Sequence, residues 1–263
     1  MATTIALAGK GGVGKTSIAG LIINTLASHH SGPILAIDAD PSSNLNMVLG
    51  LDLDWTVGDI RENLLDQVQS SLNSGGAAMG SLPGGISKRE YLDYQIRSSL
   101  CEAAQFDLIA MGRSEGQGCY CAVNHNLREV IDNISKNYRY IVIDNEAGME
   151  HLSRRTTRDV QHLIIVSDPT LRGIVAAERI ASFRKNLDIN IENAYLIINR
   201  VIEDLPTALL DRIQRLDVPL LGIVPASQEI SLLDTNGEPL NQLQNDAAPL
   251  LAIADLLQRL QLI

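Results

Sequence analysis

The chain has 263 residues, 45% hydrophobic and 20% charged, the composition of an ordinary soluble globular protein long enough to bury a sizeable core. Its formal net charge of −10, with Lys and Arg scattered, argues against nucleic acid as a partner, because phosphate surfaces are met by clustered cations. Three cysteines form no even disulfide framework and suit a reducing compartment, and no apolar stretch approaches the ~20 residues that span a bilayer.

Taken in chain order, short β-branched runs predict strands at 3–8, 33–38, 107–111, 138–143, 162–167, 194–198 and 219–224. Most are apolar throughout rather than alternating, as parallel strands covered on both faces are. Helical segments fall between several of them, for example at 16–28, 124–136, 173–186 and 205–215. Cys101, in RSSLCEAA, falls on a predicted helix and in the core. The Gly-, Ala- and Ser-rich stretch 72–86 is predicted to be a surface loop, too short to link domains.

The pattern predicts one domain over 1–263, a doubly wound α/β fold with a mainly parallel sheet of about seven strands and helices on both faces. The C-terminal segment 247–263 places apolar residues at 250, 253, 257 and 260 but carries only Arg259 as a cation. Helices that lie on membranes are usually rich in Lys and Arg, so this one is expected to pack on the core, with no membrane as partner. The first apolar run leads straight into a glycine-rich motif without a charged leader, and the expected location is the cytoplasm.

Residues 9–16 read GKGGVGKT, the pattern G-x-x-x-x-G-K-[ST] between a predicted strand and a predicted helix. Gly9, Gly11, Gly12, Val13 and Gly14 can turn backbone N–H groups toward phosphate oxygens, and the helix adds its positive end. Lys15 is placed on the β- and γ-phosphates of ATP or ADP, Thr16 on Mg²⁺, and Ser17 beside them. A tight turn with a chance lysine is the competing account. Asp38 and Asp40, in IDADP, lie at the end of the second predicted strand, and Asp144 ends the apolar strand of IVIDNEAG, where a Walker B carboxylate in the Mg²⁺ shell belongs. An isolated Asp at a strand end is commonly a cap or turn former.

Lys10 is solvated in the simplest case, but GKGGVGKT resembles the deviant Walker motif of an ATPase group. That group includes the septum-site and plasmid-partition ATPases, the arsenite and tail-anchored-protein targeting ATPases and the nitrogenase iron protein. The resemblance implies a P-loop NTPase fold and a homodimer closed by ATP, with Lys10 reaching the partner's nucleotide. It also implies that Asp40 positions the attacking water and that Gly148 offers its amide to the γ-phosphate. Asn199, Arg200 and Pro225, in LIINRV and GIVPAS, are implied to lie near the adenine; an Asx turn is the alternative for Asn199.

The runs DLIAMGRSEGQGCYCAVNHNLR (107–128) and EAGMEHLSRRTTRDV (146–160) further resemble the CooC-type nickel-insertion ATPases that mature carbon monoxide dehydrogenase. That resemblance implies a Cys-x-Cys metal pair and carbon monoxide dehydrogenase as client, and GMEH at 148–151 fits its segment after Walker B. Independently, Cys119 and Cys121 at i and i+2 of an extended loop point the same way. Thiolates suit Ni²⁺ and Zn²⁺, and a two-fold dimer would assemble four of them. Burial as small apolar residues is the other account of the pair. His125 and His151 are candidate ligands or hydrogen-bonded bystanders. The competing functions are a partition or positioning ATPase, which has no need of CYC, and an iron–sulfur reductase related to the nitrogenase iron protein, whose cysteines come from separated loops.

Overall fold

The computed structural model describes residues 2–73, 87–113, 129–147, 159–187 and 189–263. Within them one sheet holds β1 (Thr3–Gly9), β2 (Ile34–Asp38), β3 (Cys101–Glu102), β4 (Phe106–Ala110), β5 (Tyr140–Asp144), β6 (Asp159–Ser167), β7 (Asn190–Val201) and β8 (Leu220–Pro225). The order is β3-β4-β2-β5-β1-β6-β7-β8. Every pairing is parallel except that of β3 with β4.

The central strands explain their own burial. β2 and β5 are buried at every residue, and successive side chains of β1 enter opposite layers. Ile5 and Leu7 join one apolar cluster, Ala6 and Ala8 the other. One layer is closed by α1 (Lys15–Ser28) and α2 (Leu45–Leu49). The other is closed by α3 (Val57–Asn73), α4 (Lys88–Ser98), α5 (129–135), α6 (Leu171–Phe183) and α7 (Thr207–Gln214). Two later helices, α8 (Gln228–Asn236) and α9 (Ala248–Arg259), return to the first layer.

The predicted C-terminal helix is therefore a core helix, with Pro249, Ile253, Leu256 and Leu257 buried. Proline in its first turn costs no hydrogen bond there. α4 begins at a reciprocal capping box: Glu90 N–H donates to Ser87 Oγ at 3.2 Å, and Ser87 N–H donates to Glu90 Oε2 at 3.0 Å. Among the described residues no helix is long and apolar enough to cross a membrane.

One expectation changes. Cys101 is not helical: α4 stops at its C-cap Ser99, and Cys101 pairs antiparallel with Leu108 as the start of β3. The residue is partly buried, packs beside the core and donates its thiol to the Asp52 carbonyl at 3.2 Å. Among the described residues the sheet has eight strands, in keeping with the predicted sheet of about seven; β3 itself left no signal, because two residues are too short a run to show alternation or β-branched enrichment. Of the predicted loop 72–86, residues 72 and 73 belong to α3, and 74–86 lie outside the described residues, as do 124–128 of the predicted helix 124–136.

Candidate functional site

Parallel strands bring their C-terminal ends to one edge, and the sequence-predicted nucleotide residues that are described gather there. The turn from β1 into α1 is built by close approach. A Cβ on Gly9 would collide with the Val166 carbonyl oxygen of neighbouring β6. Gly14 has φ +87°, and a Cβ there would lie 2.5 Å from Asn199 Nδ2. Gly14 is also the N-cap of α1 and supplies no side-chain cap, so no cap side chain competes with a ligand for the first N–H groups of the helix. Lys15 is 7% exposed with Nζ donating to the Lys10 carbonyl at 3.5 Å, whereas the Lys10 side chain is exposed.

Asp38 and Asp144 are register partners on β2 and β5. Asp38 accepts from Asp40 N–H at 3.0 Å and Leu45 N–H at 2.9 Å. Burial dominates over these bonds and raises its carboxyl to about 6. Asp144 is raised to about 7, again first by burial, against the pull of a hydrogen bond with Thr16 and the charge of Lys15. Its Oδ1 is buried and has no hydrogen-bond partner among the described residues. A buried carboxylate oxygen without a donor, beside a threonine hydroxyl at the phosphate turn, fits a hard cation that prefers oxygen ligands. Thr16 and Asp144 would hold Mg²⁺, which would supply charge neutralisation to phosphate oxygens.

Asp40 is half-buried, and its Oδ1 accepts from Ser42 N–H at 2.8 Å, shaping the turn after β2. Ser17 and Thr16 line a cleft of about 360 Å³ shared with Asn44, Met47 and Asp234. At the other side of the turn, the ends of β7 and β8 bring Asn199, Arg200 and Pro225 close: Val201 and Pro225 are register partners. Asn199 Nδ2 donates to the Val13 carbonyl and Arg200 Nη1 to the Gly12 carbonyl, each at 2.9 Å.

Sequence reasoning missed Asn145. It is buried directly after Asp144, and its Nδ2 donates 2.8 Å to the Leu7 carbonyl, tying β5 to β1 beneath the phosphate turn. A polar residue closing the apolar run IVID is its only trace in the sequence. A second cleft of about 370 Å³, lined by His30, Gln105, Asp107 and Tyr138, lies at the opposite end of the sheet and shares no residue with this site. Cys119, Cys121, His125, Gly148 and His151 lie outside the described residues, and among those described no group of three or more His, Cys, Asp or Glu gathers as a metal site.

A model of the CobQ/CobB/MinD/ParA nucleotide binding domain matches residues 4–240. An uncharacterized ATP-binding protein of Methanocaldococcus jannaschii is 42% identical over 90% of this chain and 89% of its own. The carbon monoxide dehydrogenase accessory protein CooC of Rhodospirillum rubrum is 29% identical over 89% of this chain and 87% of its own. The septum site-determining protein MinD of Pyrococcus horikoshii, solved with Mg-ADP, has a TM-score of 0.66 at 20% identity, covering 99% of this chain and 96% of that one. At that identity the likeness shows the fold. The family match takes in the phosphate turn and the ends of β2, β5, β7 and β8 that surround it, and the chain thus belongs to the CobQ/CobB/MinD/ParA nucleotide-binding domain family and is a P-loop ATPase.

Proposed function

We propose that this chain is an ATP-driven metallochaperone of the cytoplasm that carries nickel on Cys119 and Cys121 and delivers it to carbon monoxide dehydrogenase. The observation that carries this reading is the CYC pair at 119–121 in a P-loop ATPase that is similar, over 89% of its length, to a carbon monoxide dehydrogenase accessory protein. Nothing in nucleotide chemistry needs two thiols one residue apart.

In this account Lys15 and the turn Gly9–Gly14 bind the phosphates, and Thr16 and Asp144 hold Mg²⁺. Asp40 orients the attacking water, Gly148 offers its amide to the γ-phosphate, and Asn199 and Pro225 flank the base. Lys10, the exposed lysine of the turn, crosses to the nucleotide of a second copy. A two-fold dimer then brings both CYC pairs to its axis, giving four thiolates, the number that closes a thiolate metal site. The same thiolates accept Zn²⁺ in vitro, since both ions tolerate soft ligands.

The experiment is activation of nickel-deficient carbon monoxide dehydrogenase by the full chain, ATP and limiting nickel. The expected result is ATP-dependent activation, lost in Cys119→Ser and Cys121→Ser although both variants still hydrolyse ATP. Equal activation by the cysteine variants contradicts the reading. A chain that binds no metal yet still dimerises on ATP would belong with the positioning ATPases instead. Visible absorption from an oxygen-sensitive cluster would favour an iron–sulfur reductase.

A further inference from the structure

In a regular strand, neighbouring side chains point to opposite faces, so Asn199 and Arg200 would be expected to diverge. They converge instead on the phosphate turn, Asn199 Nδ2 donating to the Val13 carbonyl and Arg200 Nη1 to the Gly12 carbonyl. The cause is local. Arg200 has φ +61°, and the pairing of β7 with β8 shifts register between Ile198 and Val201. Such an irregularity re-aims a side chain. A left-handed backbone is ordinarily left to glycine, so an arginine held there marks strain kept for what its side chain reaches.

The two carbonyls that Arg200 and Asn199 reach matter because they belong to consecutive peptide planes. In a trans peptide the C=O and the N–H point in opposite directions. Holding the Gly12 oxygen on the β7 side turns the Val13 N–H away from β7, and holding the Val13 oxygen does the same for the Gly14 N–H. In a G-x-x-x-x-G-K-[ST] turn these N–H groups are the ones that cradle phosphate.

We propose that Arg200 is a positioning residue of the ATPase, acting through the phosphate turn and not on the base: the bulge at the end of β7 directs its guanidinium to the Gly12 carbonyl, and with Asn199 it aims the Val13 and Gly14 N–H groups at the phosphates. The proposal rests on the ATPase assignment alone and is independent of the metal cargo.

The test is calorimetric binding of ATP and of inorganic tripolyphosphate to the full chain, as wild type, Arg200→Ala and Arg200→Gly. Removing a charge-assisted bond that orders the turn should weaken both ligands by about tenfold. The turnover number should stay within about threefold of wild type, because phosphate contacts made equally in ground and transition states appear in KM. Arg200→Gly fits the left-handed backbone, so an equal loss in that variant assigns the effect to the guanidinium; it also carries the test if Arg200→Ala fails to fold. Loss of ATP affinity with tripolyphosphate unchanged would put Arg200 on the base and overturn the proposal. Wild-type affinity for both ligands in Arg200→Gly, with only the melting temperature shifted, would overturn it as well.

Discussion

Asp38 and Asp144 face each other across β2 and β5, at the same level of the sheet, 0% and 1% exposed. Burial raises both carboxyls, yet their oxygens are used differently. Both oxygens of Asp38 accept backbone N–H groups, from Asp40 and Leu45, and so shape the turn that carries Asp40. Asp144 meets the Thr16 hydroxyl and keeps Oδ1 without a partner among the described residues. One carboxylate braces the backbone and the other keeps an oxygen open. A place at a strand end therefore does not define a role; the donors around the oxygens do.

The largest effect expected from this difference is on hydrolysis. Asp144→Asn should lower Mg²⁺-dependent turnover by about 10²-fold or more, since it removes the anionic oxygen beside the cation. Its unliganded melting temperature should hold or rise, because a desolvated charge is lost. A steady-state assay beside a thermal melt checks both. Asp38→Asn should show the reverse emphasis. An amide can accept one of the two N–H bonds but must turn a donor toward the other, at a cost of about 1–3 kcal/mol in stability. Denaturant unfolding should reveal that loss, with turnover falling less than in Asp144→Asn. Equal phenotypes in the two variants would erase the distinction.

A smaller effect concerns pH. Both groups titrate higher in the folded chain than the ordinary 3.8, so the folded state without ligand holds protons that the unfolded state releases. Their contribution to stability is full below 3.8, is lost as pH rises through about 6 and about 7, and is flat above. Melting temperature measured without nucleotide or Mg²⁺ should therefore carry a falling component across that window. Asp144→Asn should remove the part nearest pH 7, and Mg²⁺ with ATP should offset the loss at pH 8 by favouring the charged form.

The framework was legible because apolar strands leave a dense signal: the predicted 33–38 and 219–224 match Ile34–Asp38 and Leu220–Pro225 within a residue. GKGGVGKT likewise located the phosphate turn, since its glycines answer backbone demands seen at Gly9 and Gly14. α3 and α4 were harder to read. Among the described side chains of α4 only Leu92 and Ile96 are fully buried, so its apolar stripe is thin. The contacts that Asp38 and Arg200 make were not legible at all. The first depends on N–H groups delivered by a turn as far as Leu45, the second on a register shift between strands distant in sequence from the carbonyl that Arg200 meets.

In the proposed metallochaperone each nucleotide site, completed by Lys10 of a second copy, serves a thiolate site that both chains share. Equilibrium Zn²⁺ binding, followed together with sedimentation mass in the presence of a nonhydrolysable ATP analogue, tests it most directly. About one tightly held ion per dimer is expected, from four thiolates. Affinity should rise with pH as protons are displaced, and tight binding should collapse in Cys119→Ser or Cys121→Ser. One ion held per protomer, retained on dilution to monomers, would contradict it.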